Sequence, residues 1–154
     1  TGTLYVLTRA ALPRTIDLGT APADLVVAIN GAALFSRFST GLGLAGDVDA
    51  DGMGDFVVGA TGDDVGTNDM RGRAYLFLGK DISASATLAT ATRFDGTAPF
   101  QAFGALLSPG AGNRLLIGGP GDAGDNGRSF VLDLATGLPV MGGESGGTTG
   151  EGGH

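Results

Sequence analysis

The chain has 154 residues, of which 30 are Gly and 6 are Pro; this composition disfavours a helical fold, whereas a hydrophobic content of 42% is enough for a packed core. The formal net charge of −7 argues against a nucleic-acid partner, which would need a basic face. The chain has no cysteine, which excludes a disulfide framework, and no apolar run approaches the roughly 18 residues of a membrane-spanning helix.

Nine short apolar segments, separated by connections rich in Gly and Asp, are predicted to be β-strands. Residues 81–91 are the best helical candidate, but their Ser and Thr content favours a loop that enters a strand. Strands at this spacing predict an all-β sandwich, barrel or propeller. The predicted strands are residues 3–7, 25–30, 42–45, 56–60, 74–78, 90–94, 105–107, 115–118 and 129–134.

An internal repeat runs through these strands. Segments 2–7, 72–77 and 127–132 each begin with glycine, carry an aromatic residue three positions later and end in apolar residues. Segments 56–61 and 115–120 match each other and precede the second and third of these strands. Repeats of this length, with several strands each, indicate propeller blades.

The acidic residues are concentrated in the segment 47–69, which holds seven Asp and no Lys or Arg. Alternate residues at its start are Asp, and Gly52 permits a tight turn. Calcium takes about six to eight oxygen ligands, which such an alternation can direct at one point. The sequence therefore predicts a Ca²⁺ site. Its predicted ligands are Asp47, Asp49, Asp51, Asp55 and the backbone carbonyl of Met53.

An EF-hand is the obvious alternative for this loop, but it needs a Glu at the twelfth position, where this chain has Val58, and a helix on each side. Strand-like residues flank the loop instead. Other acids, namely Asp63, Asp64, Asp69, Asp122 and Asp125, lack the alternation and are interpreted as surface turn residues. The second repeat has residues 108–113 in place of the loop, without a carboxylate, and is expected to bind no metal.

The segments 37–40, 47–55, 56–61 and 72–78 follow the order of one FG-GAP repeat: a Phe turn, a calcium loop, a strand and a glycine–aromatic strand. The chain thus resembles the FG-GAP repeats of integrin α-chain heads and of large bacterial surface proteins. The resemblance implies about two four-stranded antiparallel β-propeller blades and a partial blade over residues 1–140, completed by neighbouring chains or a longer parent protein. Residues 141–154 form a Gly-rich tail outside it.

Catalysis is not expected, because the only histidine is His154 in that tail and no Ser/His/Asp or Cys/His set can be formed. The chain also lacks a phosphate-binding GK[ST] loop, which argues against a nucleotide site. The aromatic residues are expected to fill the space between sheets rather than to form a sugar-stacking surface. We therefore expect a protein that is not an enzyme.

A propeller closes with about four to eight blades, so nine strands cannot close one alone. Unpaired edges at the N-terminal side (residues 3–7 and 25–30) and the C-terminal side (115–118 and 129–134) are expected to join other copies of the chain or adjacent blades, head to tail, as a ring or filament. The Gly-rich tail is expected to lie against a neighbour.

The expected function is that of a secreted, calcium-stabilised structural or adhesive module at the cell surface. The alternative is a carbohydrate- or ligand-binding propeller fragment of a larger surface protein, with glycans or surface proteins as partners. Neither a nucleic acid nor a membrane span is expected.

Overall fold

The computed structural model describes residues 1–8, 15–64, 69–121, 127–136 and 138–140. Its described residues form an all-β fold of three antiparallel sheets with two short 3₁₀ turns, Gly79–Asp81 and Leu88–Thr90, and no α-helix. None of the described elements is a helix with the length and apolarity needed to cross a membrane. The strands are β1 (Thr3–Leu7), β2 (Val26–Asn30), β3 (Phe38–Gly46), β4 (Asp55–Ala60), β5 (Arg73–Phe77), β6 (Thr92–Asp95), β7 (Leu106–Gly110), β8 (Arg114–Gly119), β9 (Arg128–Asp133) and β10 (Leu138–Val140).

Each sheet follows the order of the chain. β1 and β2 form a two-stranded sheet, the middle sheet has the order β3-β4-β5-β6, and the C-terminal sheet has the order β7-β8-β9-β10. All neighbours pair antiparallel. Among the described strands, each sheet is open and ends in two edge strands.

The middle sheet lies between the other two, which explains why β4 and β5 are apolar on both faces. Successive side chains of a strand point to opposite faces. Val58 therefore packs in a core shared with Leu4 and Ile29 of the first sheet, whereas Val57 packs in a core shared with Leu115 and Ile117 of the third. Both valines are fully buried.

Aromatic residues fill these two cores, as expected. Phe38 and Tyr75 meet edge to face at 5.9 Å between ring centroids in the first core, and Phe103 and Phe130 meet at 5.3 Å in the second. Phe35, in contrast, is exposed over 84% of its surface, so core packing does not hold for every aromatic residue.

The repeat found in the sequence is also a repeat in backbone conformation. The turns leading into β3 and β7 both have positive φ at three alternate residues, a conformation that residues other than glycine rarely adopt. The angles are 66° at Phe35, 51° at Arg37 and 73° at Ser39 in the first turn, and 55° at Phe100, 51° at Ala102 and 91° at Gly104 in the second.

Two expectations about the strands are wrong. The sequence did not predict β10, because it is only three residues long and contains Pro139, which is tolerated in a sheet at an edge strand. As a consequence, β8 and β9 are inner strands and not the C-terminal edge, which is formed by β7 and β10. The predicted domain 141–154 and residues Asp122 and Asp125 lie outside the described residues.

Candidate metal centre

Residues 47–54 form the connection between β3 and β4 in the middle sheet. The backbone turns with positive φ at Ala50 (59°) and Gly52 (87°). Nothing lies within 4 Å of the position that a Cβ would occupy at Gly52, so the φ angle and not crowding favours glycine there. The flanking elements are strands, as the sequence predicted.

Asp47 and Asp51 hold this turn through bonds to its backbone. Asp47 accepts hydrogen bonds from the N–H groups of Asp51, at 3.0 Å to Oδ1, and of Gly52, at 2.9 Å to Oδ2. Asp51 Oδ1 accepts a hydrogen bond from the N–H of Met53 at 2.7 Å. Such side chain–backbone bonds are typical of Asp in turns. The carboxylates at these positions thus preform the loop.

Asp55 is the buried member of the loop, with 1% of its surface exposed. Its Oδ2 accepts a hydrogen bond from the N–H of Val48 at 2.6 Å, and its Oδ1 accepts one from the N–H of Gly79 at 2.8 Å. Gly79 follows β5, so Asp55 ties the loop to the end of a second strand. A buried carboxylate requires bonds of this kind. The sequence did not reveal this second role.

Asp49 is the exposed carboxylate that carries a counter-ion. Lys80 Nζ donates a hydrogen bond to Asp49 Oδ2, and this bond lowers the pKa of Asp49 and raises the pKa of Lys80. Both side chains are in contact with solvent, where a single ion pair contributes little stability. The ion pair matters because it places the ammonium group of Lys80 beside the loop.

The loop brings three of the predicted carboxylates together. One oxygen each of Asp47, Asp49 and Asp55 lies within 4.8 Å of the other two. Oxygens that bind one Ca²⁺ at about 2.3–2.6 Å can be at most about 5 Å apart, so this group fits a shared ion. An all-oxygen donor set suits Ca²⁺, Mg²⁺ or Mn²⁺ and not the softer metals. The three residues could therefore hold a metal ion.

Asp51 and Met53 are not members of this group of three. One oxygen of Asp51 is already bonded to the N–H of Met53, and the side chain of Met53 is half exposed. Ligation by the second oxygen of Asp51 and by the carbonyl of Met53 stays a prediction. The turn 111–113 of the second repeat has no carboxylate.

A second group of charged residues lies between β5 and the loop that follows β4. Asp63, only 3% exposed, accepts a hydrogen bond from the Tyr75 hydroxyl at 2.8 Å and lies 3.6 Å from Arg73 Nη1. Burial, and then the hydrogen bond to Asp63, raise the pKa of Tyr75 to about 12. Asp69 is also buried and pairs with Arg71. The interpretation of Asp63 and Asp69 as surface residues was therefore wrong.

No protein-family model matches this chain, and no curated protein matches it.

Proposed function

We propose that this chain is a calcium-stabilised structural module of the FG-GAP β-propeller type that acts outside the cell. The observation that supports this proposal most strongly is the group of three carboxylates, Asp47, Asp49 and Asp55, on the loop that joins two neighbouring strands. Two repeated features support the comparison with propeller blades: the strand register shared by β1–β2 and β5–β6, and the positive-φ turns at the start of β3 and before β7.

Calcium is the proposed ion because of the shape of the donor set. Mg²⁺ requires a near-octahedral site at about 2.0–2.1 Å and keeps several waters, whereas Ca²⁺ accepts irregular sites with more ligands. A loop of alternate Asp residues with backbone carbonyls between them offers many oxygens without a fixed geometry. When bound, the ion would hold these oxygens together by electrostatic attraction.

A structural role, and not a catalytic one, follows from what the loop connects. Asp55 links the loop to β4, to which it belongs, and to Gly79 after β5. An ion held by Asp47, Asp49 and Asp55 would join the start of the loop to this buried connection. Bringing three carboxylates together without a cation is unfavourable, and Lys80 offsets that charge at Asp49 only.

An extracellular location suits a site of this kind. Calcium sites of extracellular modules bind at about 10⁻⁴–10⁻³ M, which matches free calcium outside cells rather than in the cytosol. The site proposed here has exposed Asp47 and Asp49 and one buried carboxylate, a degree of exposure consistent with weak binding.

We also propose that the β1 end of the molecule joins a neighbour, either another copy of the chain or an adjacent blade. The open edge of β1 supports this, because an unpaired strand edge is a template for pairing with another chain. Assembly by whole copies, head to tail, would give a ring or a filament.

Thermal unfolding with and without a chelator tests the calcium proposal. Calcium at ten times its dissociation constant should add about 1.4 kcal/mol, which corresponds to roughly 3–6 °C in the melting temperature of a domain of this size. Asp49→Asn should remove this dependence. Asp17→Asn is the matched control, because Asp17 is an acid outside the cluster and asparagine can still accept the hydrogen bond from Gly19.

A melting temperature of the native chain that does not respond to chelator would contradict the calcium proposal. Magnesium added in place of calcium distinguishes the two ions, and an equal shift with magnesium would overturn the choice of calcium while leaving a metal site. The assembly proposal is independent of both results.

A further inference from the structure

The two-stranded sheet at the N-terminus corresponds to the outer half of the middle sheet. β1 pairs with β2 in the register in which β5 pairs with β6: Thr3 lies opposite Asn30, and Arg73 lies opposite Asp95. In the middle sheet, β3 and β4 continue from the other edge of β5. At β1, no strand of the described residues occupies the corresponding place.

The β1–β2 pair and the β5–β6 pair also contact the following sheet in the same way, each through the glycine that precedes its first strand. A Cβ at Gly2 would lie 1.8 Å from the carbonyl oxygen of Phe38, and one at Gly72 would lie 2.4 Å from that of Phe103. Only glycine permits so close an approach. The β1–β2 pair therefore sits on the middle sheet as β5–β6 sits on the C-terminal sheet.

Equivalent side chains of β1 and β5 differ in burial. Tyr75 and Phe77 of β5 are 3% and 1% exposed, whereas Tyr5 and Leu7, at the same positions of β1, are each 42% exposed. Tyr75 and Phe77 pack in the core between the first two sheets, and β4 pairs with the edge of β5 beside them. Among the described residues, β1 has neither a sheet over this face nor a strand at this edge.

The face of β3 that turns toward this place is uncovered as well. Leu42 is 60% exposed, but Leu107, which holds the equivalent position in β7, packs against the core between the middle and C-terminal sheets. Leu107 is covered because Gly43 of β3 lies directly over it. A Cβ built at Gly43 would lie 3.0 Å from the Cβ of Leu107. Leu42 has no such strand over it among the described residues.

These surfaces meet in one apolar groove between β1 and β3, with a volume of about 380 Å³. The groove continues into an established interface, because Leu4 and Phe56 line it and also belong to the core between the first two sheets. It is lined by Leu4, Tyr5, Val6, Leu7, Leu42, Gly43, Leu44 and Phe56.

The open edge of β1 also has free backbone groups in a definite pattern. Gly31 N–H donates to the Gly2 carbonyl and Thr8 N–H to the Leu25 carbonyl, so every second residue of β1 bonds to β2. In an antiparallel pair the residues between them direct their N–H and C=O groups to the other side. Those residues are Thr3, Tyr5 and Leu7.

We propose that the groove and the open edge of β1 bind a β-hairpin of polypeptide from outside residues 1–154, in the place that β3–β4 takes beside β5. One strand of the hairpin pairs antiparallel with β1 through the free backbone groups of Thr3, Tyr5 and Leu7. The other strand lies over Leu42, with glycine or another small residue at the point of closest approach, as Gly43 does over Leu107. The proposal rests on the neighbour suggested above for the β1 end.

The geometry favours a hairpin from elsewhere over the other occupants. In a second copy of the chain, β3–β4 is already built into its own sheet and cannot be donated without unfolding it. The tail cannot supply the strands either, because residues 142–154 contain no hydrophobic residue. The groove needs apolar side chains at alternate positions of a strand.

A peptide with residues 36–62 of this chain is a suitable probe, because it contains the β3–β4 hairpin. It should carry Asp47→Asn and Asp49→Asn and be tested in chelator, so that its binding does not depend on calcium. When added to the full chain, it should slow amide exchange at Thr3, Tyr5 and Leu7 by about tenfold or more, because these groups become hydrogen-bonded. Amides of β9, which is paired on both sides, should not change.

Two variants of the full chain locate the binding surface. Leu42→Asp should weaken peptide binding by about tenfold or more, since it places a charge in the groove. Leu106→Asp is the matched control, because Leu106 is similarly exposed, at 69% against 60% for Leu42, but lies on β7 of the far sheet. Its binding should equal that of the native chain.

Three results would overturn the proposal. The first is unchanged exchange at the three β1 amides at saturating peptide, and the second is equal weakening by Leu42→Asp and Leu106→Asp. The third is slow exchange at these amides in the chain alone, without peptide, if the exchange becomes fast when the protein is diluted. That result would show that a second copy of the chain pairs with the edge of β1. None of these results affects the chelator experiment, so the calcium proposal is tested separately.

Discussion

Ser39 occupies a backbone position that suits glycine. Its φ is 73°, and the equivalent residue of the second repeat is Gly104, with φ of 91°. The left-handed conformation costs a residue with a Cβ about 1–2 kcal/mol. Replacement by glycine removes this cost, but part of the gain is offset because glycine has more conformational freedom in the unfolded chain. Ser39→Gly should therefore raise the free energy of unfolding by about 0.5–1 kcal/mol, measured by urea denaturation.

The reverse exchange at the second repeat is the control for this prediction. A Cβ at Gly104 would lie 2.6 Å from the carbonyl oxygen of Arg73, so Gly104→Ser combines a positive φ with a steric conflict. It should destabilise the protein by more than Ser39→Gly stabilises it. A loss of stability in Ser39→Gly would show that the serine side chain makes a contact that outweighs the strain.

Tyr75 should make stability depend on pH at the alkaline end. Its pKa is raised to about 12 by burial and by the hydrogen bond to Asp63, against about 10 in the unfolded chain. Folding thus favours the protonated hydroxyl, and this contribution is complete below about pH 10 and is lost as the pH rises through about 12. Urea denaturation at several pH values should show the decline.

Tyr75→Phe separates this residue from the other groups that titrate at alkaline pH. The variant should be less stable at neutral pH, because Asp63 loses the donor at 2.8 Å, and should lose less stability between about pH 10 and 12. Tyr5→Phe is the control, as Tyr5 lies on an exposed edge. Parallel pH curves for the native chain and Tyr75→Phe would contradict the assignment.

At the scale of elements, the β3–β4 loop is held by one buried carboxylate. Asp55→Asn leaves a single acceptor oxygen for two N–H groups, those of Val48 and Gly79, and turns an amide N–H₂ toward one of them. An unsatisfied buried polar group costs about 1–3 kcal/mol. The variant should lose stability by this amount even in chelator, as measured by urea denaturation.

Asp51→Asn serves as the comparison in the same loop. Asp51 is exposed, and asparagine can still accept the hydrogen bond from Met53 N–H, so stability in chelator should change by no more than about 0.5 kcal/mol. Equal losses in the two variants would show that Asp55 acts only through the loop and not as a buried connection to Gly79.

At the scale of the whole molecule, the fold is a row of repeated sheets whose middle member is covered on both faces at β4 and β5. These two strands are apolar at nearly every position, whereas exposed leucines remain on β3 of the same sheet, at Leu42, and on the third sheet, at Leu106 and Leu116. A sheet with one apolar face uncovered favours contact with a further layer. The two ends of the row are therefore the surfaces at which neighbours are expected.

Much of this organisation could be predicted from the sequence. Glycine, the scarcity of helix-forming residues and the spacing of apolar runs indicate an all-β fold, and the alternate Asp residues of the loop indicate a metal site between strands. These signals are local, because each depends on a few neighbouring residues. Three of the four predicted carboxylates, those of Asp47, Asp49 and Asp55, do come together.

The tertiary structure decided what depends on distant residues. The sequence could not show that Asp55 bonds to Gly79, that Asp63 is buried against Tyr75, or that Lys80 reaches Asp49, since these partners are separated by 24, 12 and 31 positions. It also could not show that β10 pairs with β9. Those facts depend on which strands pair and which sheets stack, and burial and strand order, unlike local turn chemistry, are fixed only when the whole chain has packed.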